Sequence, residues 1–358
     1  MKQRILGFDL ARAYAILGMF IVNFNVVFGN YQDPSPMGRF LTLFSGNSSS
    51  VFVMLAGMGI SLLTARPAYL PEERRRLQGT IARRAAFLFV SGLLLSLVWP
   101  ADILHFYGVY LLVGAWLAFQ PRWTHLAAAG VAVVVFHLLL VAFPYEKGWN
   151  IATLQYTDFW TVKGFLRNLF FNGWNPVFPW LAFFTTGMYL GRLDWNTPGL
   201  PLRLFLTGLA LYAGVSGLQT LAAGWSLSEE MRLFITADYL PPMLPFLLSM
   251  TGFGFMLISA SMVIGRYLDR FAWAQALAST GRMTFTHYVA HLVLGIPLFA
   301  ALTGHTLTEL ENRTVVVRPE VTAAFSVGYF AVSFAFSALW SRFYRQGPLE
   351  GLMRKVAG

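Results

Sequence analysis

The sequence predicts an all-α fold, a polytopic transmembrane helical bundle of about ten spans with both termini cytoplasmic. Three observations carry that expectation. Of 358 residues, 56% are hydrophobic and 12% charged, whereas soluble domains carry about 25% charged residues. About ten apolar stretches approach the roughly 20 residues that a helix needs to cross the hydrocarbon core. The basic residues are also segregated: with the N-terminus inside, 19 of the 26 fall on the cytoplasmic side, the positive-inside pattern. Topology thus accounts for the net charge of +10, with anionic lipid headgroups as the secondary beneficiary. No nucleic-acid partner is expected.

The expected spans lie near 8–28, 48–65, 84–100, 103–120, 124–143, 176–192, 202–222, 242–264, 282–303 and 322–340. The first runs directly into a polar loop without a small-residue cleavage site, so it is expected to stay as a span and not to leave as a signal peptide. Arg66, Arg74, Arg75, Arg76, Arg83 and Arg84 mark the first return to the cytoplasm. Arg122, Arg192, Arg203, Arg266, Arg270 and Arg282 follow in later inner loops, and Arg342, Arg345, Arg354 and Lys355 close the chain. Lys2, Arg4 and Arg12 precede them. Residues 271–279 are too short to cross and read as interfacial or re-entrant. The outer loop 144–175 is rich in Trp, Tyr, Phe and Asn, and an amphipathic interfacial helix is expected near 160–171. Together with loop 223–241, which holds Glu229, Glu230, Arg232 and Asp238, and loop 304–321, which holds His305, Glu309, Glu311, Arg313 and Arg318, it is a candidate roof over a polar cavity. Ordinary connections are the plain alternative. The whole of 1–358 reads as a single integral membrane domain.

No cysteine is present, which excludes disulfides, thiolate metal sites and a cysteine nucleophile. No G-x-x-x-x-G-K-[ST] loop is present either, which disfavours ATP-driven transport. The chemistry must come from polar side chains at or inside the apolar segments, where ionisable groups are costly and functional by default. Asp9 and Arg12 are three apart and can pair at the inner boundary; alternatively Arg12 meets an anion arriving from the cytoplasm, such as a coenzyme's phosphates. Asn23 and Asn25 lie near the outer end of the same helix, suited to a helix contact or to orienting a substrate carbonyl.

The stretch Trp99-Pro100-Ala101-Asp102-Ile103-Leu104-His105 places an aspartate three residues before a histidine where two apolar segments meet. If Ile103 begins the helix, Asp102 is its N-cap, and the pair either anchors the helix or forms an Asp–His base. His287 and His291 are four apart and share a helix face inside the ninth span. Two histidines alone do not make a metal site, no third ligand is evident nearby, and no metal is expected. They line a donor channel or bond helix to helix. His125, His137 and His305 receive no role. Pro179 beside Trp180 can kink its helix, and Gly187 with Gly191 supports close helix approach.

The run Asp-x-x-Arg-Ala-x-Ala-Ile-x-Gly-Met-x-x-Val-Asn at residues 9–23 resembles the opening of the heparan-alpha-glucosaminide N-acetyltransferase-like proteins. It is similar also to the YeiB-like bacterial membrane proteins. In the same order along the chain, the stretch from Ser50 to Gly59, Asp102-Ile103-Leu104 with Tyr107-Gly108, Phe178-Pro179-Trp180-Leu181 through Gly187 to Gly191-Arg192, and Ser279-Thr280-Gly281-Arg282-Met283-Thr284 with Tyr288 resemble the family's later motifs. The resemblance implies transmembrane acyl transfer in the bacterial inner membrane, from cytoplasmic acetyl-CoA or another acyl-CoA to an extracytoplasmic glycan, other amine or hydroxyl, or small-molecule acceptor.

One departure matters: the family's functional histidine follows the first span, and residues 24–60 here contain none. Asn23 matches the family's site. The base then falls to His105, oriented by Asp102, because an imidazole with a pKa near about 6.5 can take and return a proton near neutrality. Asn23 or Asn25 steadies the oxyanion, Arg12 with inner-loop arginines such as Arg282 holds the phosphates, and His287 and His291 line the route. The expected partners are membrane lipids, acyl-CoA and the acceptor, with a homodimer admitted. The competing function is a proton-coupled transporter or flippase of a small or lipid-linked solute, which needs intramembrane His and Asn but no acyl-CoA site.

Overall fold

The computed structural model describes residues 5–29, 33–66, 68–151, 153–307, 309 and 316–358, with Glu230 described through its backbone. Lys2, Arg4, Glu311 and Arg313 of the sequence reading lie outside the described residues. Among the described residues the regular structure is helical apart from a two-residue antiparallel ladder, Trp149–Asn150 with Gln155–Tyr156.

The helices, in chain order, are α1 Leu6–Phe28, α2 Pro36–Thr42, α3 Asn47–Leu63, α4 Pro71–Leu95, α5 Leu104–Leu117, α6 Arg122–Ala142 and α7 Val162–Arg167. They continue with α8 Val177–Leu190, α9 Leu200–Ala222, α10 Glu229–Ile235, α11 Leu244–Leu268 and α12 Ala272–Arg282. The last are α13 Thr284–Ala290, α14 Ile296–Thr303, α15 Pro319–Phe343 and α16 Pro348–Ala357. Among the described residues, seven helical stretches are long and apolar enough to cross a membrane: α1, α2 with α3, α6, α9, α11, α13 with α14, and α15.

The three other expected spans are present as helices of a different kind. α5 and α8 are apolar but have 14 residues each, about 21 Å at 1.5 Å per residue against a core of about 30 Å. The stretch expected at 84–100 is the apolar end of α4, which carries Glu72, Glu73 and five arginines between Pro71 and Arg84. The stretch at 271–279 belongs to α12. Within 160–171, where an interfacial helix is expected, the chain forms α7, continued by a π-helical turn over Asn168–Asn172.

The chain forms two compact units. The first comprises Met1–Phe52, Pro201–Gly208 and Phe253–Leu352. Its centre is α1, which packs on α12 and α15, and these two pack on each other. Small residues permit the approach: a Cβ on Gly281 of α12 would collide with the Asp9 carbonyl of α1, and one on Gly265 of α11 with the Gly7 backbone. Phe24, Phe28, Phe299 and Phe325 fill one end, with Phe28–Phe299 and Phe299–Phe325 centroids both 4.2 Å apart.

The second unit comprises Val53–Leu200, Leu209–Gly252 and Met353–Gly358. There α4 packs on α5, α6 on α8, and α5 on α8. Gly57 lies against the Phe184 carbonyl and Gly187 against the Met54 backbone, so the α3–α8 contact uses the glycines singled out in the sequence. Arg192, just after α8, donates to the Thr64 carbonyl at 2.8 Å, to Thr64 Oγ1 at 2.9 Å and to the Ala118 carbonyl. The α8 backbone departs from helical angles at Phe178, immediately before Pro179. Leu202, Leu206, Leu209, Leu218 and Leu221 of α9 are exposed, as befits a surface that faces lipid.

Candidate functional site

Each unit holds a buried polar constellation. In the first unit, Arg12 donates to Asp9 Oδ1 at 2.8 Å near the start of α1, with Asp9 buried and the Arg12 side chain 24% exposed. The arginine therefore keeps access to its surroundings while the carboxylate is spent on internal partners. Arg282 ends α12, one residue after the glycine that touches the Asp9 carbonyl and the Ala13 N–H, so both arginines belong to the same end of this unit.

Eleven residues further along α1, about 16 Å by helix rise, Asn23 Nδ2 lies 2.7 Å from His291 Nε2. The two are 268 residues apart in sequence. His291 is buried, and its Nδ1 is 3.2 Å from the His287 carbonyl oxygen. A carbonyl only accepts, so Nδ1 carries the hydrogen and Nε2 presents its lone pair to the Asn23 amide. In this tautomer Nε2 is the ring nitrogen left with a lone pair, and it faces the Asn23 amide.

The helix changes to a π-helical turn at His291–Gly295, a device that rotates side chains away from the regular register and that recurs at functional sites. Phe20, Phe24 and Tyr288 wall the ring, with centroids 5.4, 6.1 and 5.4 Å away. One turn earlier, His287 Nε2 is 2.7 Å from Ser337 Oγ of α15. Asn25 does not join the cluster: two positions from Asn23 it faces another way, and its Oδ1 lies beside Gly29.

In the second unit, Asp102 Oδ2 accepts both the His105 backbone N–H at 3.1 Å and His105 Nδ1–H at 3.0 Å. The helix begins one residue later than expected, with Leu104 as its first residue and Ile103 at the N-cap. Asp102 nevertheless serves a free N–H of the first turn from outside the helix, because its side chain reaches past Ile103. Both side chains are buried, and His105 Nε2 has no hydrogen-bond partner among the described residues. Phe106, Phe159 and Phe165 surround it at 3.9, 5.8 and 6.4 Å between centroids. Gly92 of α4 is the floor of this site: a Cβ there would collide with His105 N and Asp102 Oδ2.

Phe159 and Phe165 come from loop 144–175, which is a built element. Arg167 holds Asp158 through 2.5 and 2.7 Å contacts and donates from Nε to the Tyr156 hydroxyl at 2.8 Å. Tyr156 donates to Asn172 Oδ1 at 2.6 Å, and Asn172 Nδ2 holds the Tyr145 and Lys147 carbonyls. Burial pushes the Tyr156 phenol up to about 12, against the opposing pull of Arg167. Burial alone lowers the Arg167 guanidinium, and its bonds to Asp158 and Tyr156 leave it above its ordinary value.

The structure therefore brings Asn23 together with His291, His287 with Ser337, Asp9 with Arg12, and Asp102 with His105. Sequence reasoning missed Ser337 and Gly92. A serine or a glycine within an apolar stretch carries no local signal of its partner.

Residues 4–203 match the family model described as heparan-alpha-glucosaminide N-acetyltransferase, catalytic. Residues 190–358 match a second model, described as a protein of unknown function (DUF418). The chain is also 25% identical, over an alignment of 395 residues spanning 99% of this chain and 96% of its relative, to the uncharacterized protein YeiB of Escherichia coli (strain K12).

Proposed function

The chain belongs to the heparan-alpha-glucosaminide N-acetyltransferase family, and from that premise we propose that it transfers an acyl group from cytoplasmic acyl-CoA to an extracytoplasmic amine or hydroxyl. In this reading all ten apolar helical segments, including α4, α5 and α8, cross the bacterial inner membrane and leave both termini inside. The observation that carries the proposal is the Asn23–His291 pair. A family residue on α1 meets a buried imidazole whose other ring nitrogen bonds a backbone carbonyl, in a chain that lacks the family's histidine after the first span.

Arg12 and Arg282 hold the coenzyme phosphates, and the acyl arm runs along α1 toward Asn23. His291 Nε2 takes the proton of the acceptor N–H or O–H as the acceptor attacks the thioester carbonyl. The Asn23 amide, displaced from Nε2, donates to the developing oxyanion. The new C–N or C–O bond forms, the C–S bond breaks, and the proton on His291 passes to the departing thiolate. A positioned base contributes about 10²–10⁴-fold.

A second reading of the base rests on a separate observation. His105 has its Nδ1 fixed by Asp102 and its Nε2 unspent, the arrangement of a general base. Acetyl transfer by His291→Ala and His105→Ala variants separates the two: the base is the one whose loss lowers turnover by two or more orders of magnitude while acetyl-CoA binding persists. Absence of acetyl-CoA binding would favour the transporter reading instead.

A further inference from the structure

α16 is an element that no part of the proposed reaction uses. One face is tied to the protein. Glu350 Oε1 accepts the backbone N–H groups of Phe285 at 2.7 Å and Thr286 at 3.1 Å, and its Oε2 accepts the Thr286 hydroxyl at 2.6 Å. The Leu349 N–H returns a bond to Thr286 Oγ1 at 3.1 Å. A carboxylate 65 residues away thus caps the helix that leads to His287 and His291, satisfying N–H groups that a first helical turn leaves free.

The second face is apolar and open: Leu352 is 47% and Val356 63% exposed, four residues apart on one side. Exposed Lys355 borders this apolar side, whereas Arg354, four residues after Glu350, lies on the opposite side of the helix. This helix follows the end of α15, where Phe336, Trp340 and Tyr344 pile up at 5.6 and 4.4 Å. Trp340 Nε1 donates to the Gln346 carbonyl at 2.8 Å, and Arg342 and Arg345 flank it. Aromatic side chains with a polar handle, followed by cations, are the signature of a membrane–water boundary.

We propose that α16 is an in-plane anchor seated on an anionic lipid leaflet. Leu352 and Val356 enter the acyl boundary, Lys355 together with Arg342 and Arg345 meets the headgroups, and Glu350 fixes the anchor to the start of α13. The occupant is lipid because the aliphatic pair continues, after four connecting residues, from a membrane-spanning helix, and its cationic border complements anionic headgroups.

The absence of native cysteine makes the test direct. Single spin labels are placed at Leu352→Cys, Val356→Cys and Lys355→Cys, and the protein is reconstituted in phosphatidylcholine with or without phosphatidylglycerol. Labels at 352 and 356 are expected to collide several-fold more with dissolved oxygen than with a water-soluble nickel chelate. The label at 355 is expected to show the reverse, and phosphatidylglycerol is expected to deepen the first two. Equal nickel access at all three positions would overturn the proposal. So would shielding of 352 and 356 from both reagents, which would mean that a second copy or another protein covers the face. Glu350→Gln, with a single acceptor oxygen, is expected to speed amide exchange at Phe285 and Thr286 at least tenfold. Unchanged exchange would refute the tie to α13.

Discussion

Replacing Asn23 by alanine separates a reacting role from a structural one. The change deletes the donor that lies 2.7 Å from His291 Nε2 and leaves a buried acceptor without its partner, which costs roughly 1–3 kcal/mol of stability. A residue that only holds helices together would show that loss as a lower Tm, with turnover of the folded fraction unchanged. If the amide instead donates to the oxyanion, turnover falls by about 10²–10³, or roughly 2.7–4 kcal/mol of transition-state stabilisation. Affinity for acetyl-CoA is then preserved, because the contact is made only as charge develops.

The assay is single-turnover acetyl transfer to an amine acceptor by detergent-purified protein, alongside acetyl-CoA binding and thermal unfolding. The double variant Asn23→Ala/His291→Ala adds a control. Groups that act as a unit are non-additive, so it should be little slower than the worse single variant. Turnover of Asn23→Ala within threefold of the parent, or loss of acetyl-CoA binding in parallel with turnover, would refute the reasoning.

Three further outcomes follow from the geometry. Gly92→Ala places a methyl against His105 N and Asp102 Oδ2 and should cost about 1–3 kcal/mol by overpacking, read as a lower Tm; an unchanged Tm would mean that α4 and α5 are not in this contact. Tyr156, whose pKa rises from 10.0 to about 12 in the folded protein, contributes stability fully present below pH 10 and lost as the pH climbs through about 12. Tyrosinate absorbance of Tyr156→Phe should therefore lose one phenol from the late-titrating part of the curve and none from the part near pH 10, and an identical titration in that variant would contradict the burial. Arg167→Lys cannot reproduce the paired contacts to Asp158 with a single ammonium, so limited proteolysis within 144–175 should accelerate; no change would show that the loop does not depend on them.

Much of the fold was legible because composition and charge placement act over whole helices. α1, α6, α9, α11 and α15 appear where their apolar runs begin and end. α5 and α8 lie within three residues of their expected bounds, 103–120 and 176–192, but have only 14 residues each, because the apolar runs extend past the helix ends. The one-residue shift at Ile103 has a local cause: Asp102 reaches the His105 N–H from outside the helix, so its capping chemistry survives a different boundary.

Of the site, the local pairs Asp9–Arg12 and Asp102–His105 could be read from a spacing of three residues. Asn23 was visible through its motif. Its partner was not, because His291 comes from helices brought to α1 only by folding, and the spacing of His287 and His291 suggested a shared face but not what each would touch. His291 bonds Asn23, while His287 turns to Ser337. Glu350 was invisible for the same reason: a glutamate in an amphipathic terminal helix looks like solvated surface until α13 is seen to begin beneath it.

The central claim is that this chain handles acyl-CoA, and equilibrium binding of acetyl-CoA to the purified protein, with Arg12→Gln beside it, tests it most directly. The account predicts saturable binding that weakens about 10–100-fold in the variant, the loss of one charge-assisted contact of roughly 1.5–3 kcal/mol. Binding of neither acetyl-CoA nor longer acyl-CoAs would contradict it.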